Sequence, residues 1–100
     1  MDITILEEGG TTILHIAGRL DTVTSPELER TVKPLIDLGA VVVFDCEKMD
    51  YVSSSGLRVI LSTYKQLAAV GGKFTIRNLN KEVQSVFDLT GFSRLLNIES

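Results

Sequence analysis

Three consecutive serines followed by a glycine, Ser53-Ser54-Ser55-Gly56, are the residues of this chain best placed to do chemistry. They lie between an apolar strand-like run, Val41-Val42-Val43-Phe44, and a helical pattern beginning at Leu57. Hydroxyls at a helix N-terminus sit where unpaired backbone N–H groups and the positive end of the dipole favour an anion. Such a site binds a phosphate or carries one. With Ser53 as N-cap, Val52 and Leu57 take the N′ and N4 positions of a hydrophobic staple. Ser54 and Ser55 then fall at N1 and N2, with hydroxyls that capping does not require. Gly56 is a poor helix former, but its missing side chain is expected to let another surface approach closely. On the pattern alone, a serine-capped helix beside an incidental glycine remains an equal reading.

No other constellation rivals it. Cys46 is the only cysteine, so neither an internal disulfide nor a cysteine metal cluster can form, and it reads as a buried small hydrophobe. His15 is the only histidine and lies among apolar strand residues. A serine nucleophile needs a base and an orienting group; with neither in view, no enzyme is expected. Asp45, Glu47 and Asp50 read as solvated loop charges, with no metal site, and no cofactor is implied. No Gly-rich phosphate loop is present. The net charge of −3, without a cluster of Lys and Arg, argues against nucleic acid as a partner. No apolar run approaches the ~20 residues that span a bilayer. The opening Met1-Asp2-Ile3-Thr4 is acidic and alternating, unlike a targeting peptide, so the cytoplasm is the expected compartment.

The elements that must position the serines read as one domain over residues 1–100, with 44% hydrophobic and 23% charged residues. Ile3–Leu6 and Thr12–Ala17 alternate around Gly9-Gly10 as a hairpin. Gly18-Arg19-Leu20-Asp21 is expected to leave the sheet as a polar loop, with Asp21 and Thr22 as candidate binding residues. Ser25-Pro26-Glu27 predicts a helix start with Ser25 as cap; Leu28, Val32, Leu35 and Ile36 form its apolar stripe. Pro34 is expected to kink this helix or confine it to its first half. Val41–Phe44, apolar throughout, predicts a central strand covered on both faces. The helix after the serines is expected to bury Leu57, Ile60, Leu61, Tyr64, Leu67 and Ala68, leaving Arg58 facing water or a partner, and to end at Gly71-Gly72. Lys73–Arg77 is a strand, Asn80 caps a third helix that ends at Gly91, and Leu95–Ile98 is a short edge strand. The order β-β-α-β-α-β-α implies a mixed sheet with right-handed crossovers. Gly18–Thr22 and Ser53–Gly56 both follow strands, so they are expected to share one edge of it.

Tyr51-Val52-Ser53-Ser54-Ser55-Gly56-Leu57, after a strand ending in Asp45, resembles the phosphorylation segment of bacterial anti-sigma factor antagonists, single-domain members of the STAS family. Gly18-Arg19-Leu20-Asp21 resembles the family's Gly-x-(Leu/Ile)-Asp loop. Gly71-Gly72 matches its second helix stop, and Phe87-Asp88-Leu89-Thr90-Gly91-Phe92 its third helix end. The similarity covers nearly the whole chain. It implies an α/β fold of the STAS type, a small mixed sheet of four to five strands covered by about three helices. The family motif commonly reads Asp-Ser-(Ser/Thr/Ala)-Gly, and the serine after the aspartate takes the phosphate. Placed here, that serine is Ser54, with Ser55 as runner-up, and Ser53 occupies the aspartate's place. Serine keeps the capping role but removes a negative charge beside the acceptor.

The resemblance further implies partner switching. The unmodified protein would bind an anti-sigma factor that is also a serine kinase, through Asp21, Thr22, Ser53, Ser54, Ser55, Gly56 and Arg58. Phosphorylation of Ser54 would dissociate the complex, and a metal-dependent serine phosphatase would reset it. The competing reading is a STAS binding module or accessory subunit of a transporter or signalling complex, without a phosphoswitch.

Overall fold

The computed structural model describes residues 1–99. Strands β1 (Asp2–Glu8) and β2 (Thr11–Leu20) form the hairpin, followed by helix α1 (Ser25–Asp37), strands β3 (Val41–Asp45) and β4 (Met49–Val52), and helix α2 (Ser54–Ala69). Strand β5 (Lys73–Arg77), helices α3 (Lys81–Thr90) and α4 (Phe92–Leu95), and strand β6 (Asn97–Glu99) complete the described chain. The sheet runs β1-β2-β3-β5-β6, and β4 pairs with the far end of β2. Only β1 is antiparallel to its neighbour; the remaining pairs are parallel. The mixed α/β expectation holds, with two more elements than expected, β4 and α4.

Burial alternates along the strands and separates the two faces of the sheet. Leu14 and Ile16 of β2, Val42 and Phe44 of β3, and Phe74 and Ile76 of β5 point into one core. Leu28, Val32 and Ile36 from α1, Leu57, Ile60 and Leu67 from α2, and Val83 and Phe87 from α3 complete it. Phe44 and Phe74 meet edge to face with centroids 4.7 Å apart. Each fully buried aliphatic side chain in this layer is worth ~1.5–3 kcal/mol of transfer free energy. The opposite face carries no helix-packed core: Val41 is exposed, Val43 is half-buried, and Ile13 is buried outside the main cluster. The expectation that Val41–Phe44 is covered on both faces is therefore corrected. The strand is central, but its uniform apolarity reflects the fit of β-branched residues to a pleated sheet as well as burial.

Three local readings also change. Strand β2 continues through Gly18-Arg19-Leu20 instead of leaving the sheet, because the register shifts between Gly18 and Arg19 and the extension pairs with β4. Gly18, at φ +94°, takes the left-handed conformation at that irregularity, which a side chain would strain. Helix α1 starts one residue earlier than expected, with Thr24 as N-cap and Ser25 buried inside. It also runs through Pro34 to Asp37. Finally, the buried stripe of α2 is Leu57, Val59, Ile60, Thr63 and Leu67, while Leu61 and Tyr64 are half-buried and Ala68 is exposed. Val59 and Thr63 line the seam with α1 alongside its Val32 and Ile36.

Asp45 ends β3 as a buried carboxylate, not a solvated loop charge. It accepts hydrogen bonds from the Glu47 N–H at 3.1 Å, Arg77 Nε at 3.2 Å and Asn78 Nδ2 at 3.2 Å. His15 Nδ1 lies 3.5 Å from it. Burial pushes this carboxyl's pKa up, but the Glu47, Asn78 and Arg77 hydrogen bonds and the Arg77 charge together hold it below the ordinary value. Asp45 thus ties β2, β3 and β5 together at their carboxyl ends. Cys46 beside it is fully buried, and burial, aided by the Asp45 charge, pushes its thiol up to about 12. It is an inert hydrophobe.

Candidate functional site

The two loops that follow β2 and β4 meet at one edge of the sheet. Ser53 caps α2 in extended conformation, its Oγ accepting from the Gly56 N–H at 3.2 Å. Its own N–H donates to the Leu20 carbonyl at 2.9 Å, which fixes the start of α2 against the end of β2. Gly56 lies directly over the same residue. A Cβ built there would sit 2.7 Å from Leu20 Cγ and 2.9 Å from the Leu20 carbonyl oxygen. Gly56 is buried, so the close approach it permits is made within the fold by Leu20 and not by an outside surface. The expected partner contact at Gly56 is corrected accordingly.

The loop from β2 to α1 is wound around Asp21. Its Oδ1 accepts from the Val23 N–H at 3.0 Å, the Thr24 N–H at 3.1 Å and the Thr24 hydroxyl at 3.2 Å. The Thr24 N–H, with help from the Thr24 hydroxyl, the Val23 N–H and the Arg19 charge, holds the Asp21 carboxyl below its ordinary value despite some desolvation. The Asp21 carbonyl accepts from the Ser25 N–H at 2.8 Å and from the Ser25 hydroxyl. Asp21 is therefore committed to loop structure, and Thr22 is what the loop presents. Thr22 Oγ1 lies 3.1 Å from Ser55 Oγ, which joins the loop to the first turn of α2.

The three serines are thereby distinguished. The Ser53 hydroxyl is occupied by capping and the Ser55 hydroxyl by Thr22. Ser54, at N1, is exposed, and its hydroxyl makes no hydrogen bond among the described residues. Arg58 is exposed one turn along the same helix. Sequence reasoning missed a neighbouring pair. The Arg19 guanidinium stacks 4.0 Å above the Tyr51 ring, because the β2–β4 register sets these residues side by side. Arg19 Nε also lies 3.6 Å from Asp21 Oδ2. Their signal in the sequence was hidden by β4, without which nothing brings them together. No cluster of three or more His, Cys, Asp or Glu suited to a metal occurs among the described residues. None of the described helices is long and apolar enough to cross a membrane.

Residues 2–100 match the family model described as the STAS domain. The chain belongs to the STAS family. Among curated proteins, this STAS domain is 30% identical over 87 residues to the anti-sigma-B factor antagonist of Bacillus subtilis (strain 168), covering 87% of this chain and 80% of the relative. Its fold is similar to the crystal structure of an anti-sigma factor antagonist from Mycobacterium paratuberculosis, with a TM-score of 0.89 at 21% identity, covering 98% of this chain and 84% of that one. It is also similar to the Bacillus cell fate determinant SpoIIAA in its phosphorylated form, with a TM-score of 0.76 at 20% identity, covering 99% and 92% of the two chains. At these identities the solved structures show the fold alone. The curated relative ties the chain more specifically to anti-sigma factor antagonists.

Proposed function

We propose that this STAS domain is an anti-sigma factor antagonist that works by partner switching, with Ser54 as the phosphate acceptor. The observation that carries the reading is the exposed Ser54 hydroxyl at the start of α2, without a hydrogen bond among the described residues, beside two serines whose hydroxyls are engaged. Unmodified, the edge formed by Thr22, Ser54, Ser55 and Arg58 binds an anti-sigma factor with serine kinase activity. The kinase transfers the γ-phosphoryl group of ATP to Ser54 Oγ. A new O–P bond forms, ADP leaves, and the hydroxyl proton passes to a base on the kinase. A phosphoserine carries about −1.5 to −2 charges, and in a closely packed interface it must be desolvated without a partner of its own. An uncompensated buried charge costs ~3–5 kcal/mol, which lowers affinity by a factor of at least a hundred. A metal-dependent serine phosphatase hydrolyses the ester and restores the binding form. The relationship to a curated anti-sigma factor antagonist supports the antagonist role.

The test is phosphopeptide mapping of the protein from its own cells across growth and stress, alongside Ser54→Ala. Phosphate on Ser54 that varies with condition, with a Ser54→Ala protein locked in the binding state, is the expected result. Phosphate on Ser55 would keep the mechanism and move the acceptor. No phosphate under any condition, with a silent Ser54→Ala change, would overturn the switch in favour of a constitutive binding module or accessory subunit.

A further inference from the structure

Helices α1 and α2 begin on the same edge of the sheet and run side by side away from it, leaving a groove between them. Its upper part, a void of about 320 Å³, is lined by Thr22 and Ser55 at the mouth and by Pro26 and Arg58 on its sides. Its lower part, about 270 Å³, continues between Arg30 and Lys33 of α1 and Thr63 and Gln66 of α2. Glu29, Val59 and Ser62 line both parts, so the groove is continuous with the serine edge. The buried residues lining it are the apolar Val32, Ile36 and Val59 together with the hydroxyl residues Ser25 and Thr63. The walls are charged and exposed, with Arg30, Lys33 and Arg58 set against the single acid Glu29. None of these three cations lies within salt-bridge distance of a carboxylate among the described residues. In a chain of net charge −3, an excess of positive charge over one groove is a local inversion of sign. Such inversions steer and orient a complementary partner more than they stabilise the fold.

We propose that this groove is a docking channel for a short, extended acidic segment of the protein that acts on Ser54, with an apolar side chain seated on the floor. The inference rests on the partner-switching reading above and extends its recognition surface from the serine edge along the groove between the two helices. From Ser55 to Gln66 the helix rises ~16 Å, the length of about five residues of extended chain. A segment of that size places its carboxylates against Arg30, Lys33 and Arg58 and its end at the serine edge. Docking there converts phosphoryl transfer at Ser54 from a chance encounter into a tethered one.

The probe is a peptide, acetyl-Glu-Glu-Leu-Glu-Glu-amide, titrated into the ¹⁵N-labelled full chain at low salt and followed by amide chemical shifts. The expected shifts are confined to the α1–α2 groove. They weaken about tenfold in affinity in the double variant Arg30→Glu with Lys33→Glu, and severalfold more salt weakens them in the native chain. Both substituted residues are exposed, so an unchanged urea midpoint certifies the fold of the variant. Shifts spread over the surface, shifts unchanged in the double variant, or no shifts at all would overturn the proposal. Inorganic phosphate reproducing the same shifts would overturn it in favour of a small-anion site. A Lys-Lys-Leu-Lys-Lys peptide binding equally well would reduce it to apolar stickiness and sink it too. None of these readouts requires Ser54 to be phosphorylated, so failure here is distinguishable from failure of the mapping experiment.

Discussion

Gly56 is decided by a contest between two terms of opposite sign. Replacing a helical glycine by alanine ordinarily gains ~1 kcal/mol through propensity. Here the new methyl would meet the Leu20 carbonyl oxygen at 2.9 Å as well as Leu20 Cγ at 2.7 Å. Backbone cannot swing aside as a side-chain tip can, and overpacking of this kind costs ~1–3 kcal/mol. Gly56→Ala is therefore expected to destabilise by about 1 kcal/mol net, read as a lower urea midpoint at unchanged slope. It should also loosen the Thr22–Ser55 contact, whose distance depends on how closely α2 sits on β2. A rise in stability would mean that the first turn of α2 is not seated on Leu20. A second single residue, Asp45, is tested by acid. Its folded pKa is depressed, so its contribution is fully present above the unfolded value near 4 and disappears as pH falls through the folded value. Asp45→Asn should cost ~1–3 kcal/mol at pH 7, from weakened charge-assisted hydrogen bonds. The variant should then lose less stability than the native chain between pH 5 and about pH 2. Parallel acid limbs for the two proteins would refute this role.

At the scale of elements, α2 carries its start signal in adjacent residues. The Ser53 cap and the positions of Ser54 and Ser55 at N1 and N2 were legible because capping is local chemistry within four residues. Asn80 was legible as the α3 cap for the same reason, its side chain accepting from the Val83 N–H at 2.8 Å. Strand β4 was not. Met49-Asp50-Tyr51-Val52 is four residues long with its two middle side chains exposed, and it exists because β2 extends past an irregularity at Gly18 to pair with it. That is a non-local cause, and so are its products: the Arg19–Tyr51 stack and the meeting of Thr22 with Ser55 across 33 positions. The sharing of one edge by the two loops could be reasoned from topology; which hydroxyls would be engaged could not. The cap itself gives an element-level prediction. Ser53→Ala should lower stability by ~1 kcal/mol, while Ser53→Asp, which retains the acceptor and adds a charge favourable to the helix dipole, should be neutral or stabilising. Equal losses in both would show that the hydroxyl acts through something other than the Gly56 N–H.

For the whole molecule, the question is whether a phosphate on Ser54 rebuilds the fold or only its surface. The core lies on the helix side of the sheet, and the Ser54 side chain is outside it, exposed at N1. The free N–H groups of the first turn and the dipole favour a negative group there by ~0.3–1 kcal/mol at an exposed site, so modification is not expected to strain α2. Loss of partner affinity therefore has to arise at the interface, where the same charge must be desolvated. With phosphoserine installed at position 54, far-ultraviolet circular dichroism should be unchanged and the thermal midpoint should stay level or rise slightly. Binding to the anti-sigma factor should meanwhile fall by a factor of a hundred or more. A large loss of helicity would place the switch in the fold, with α2 melting as its bistable element. Retained helicity with retained binding would mean that the phosphate sits outside the contact surface.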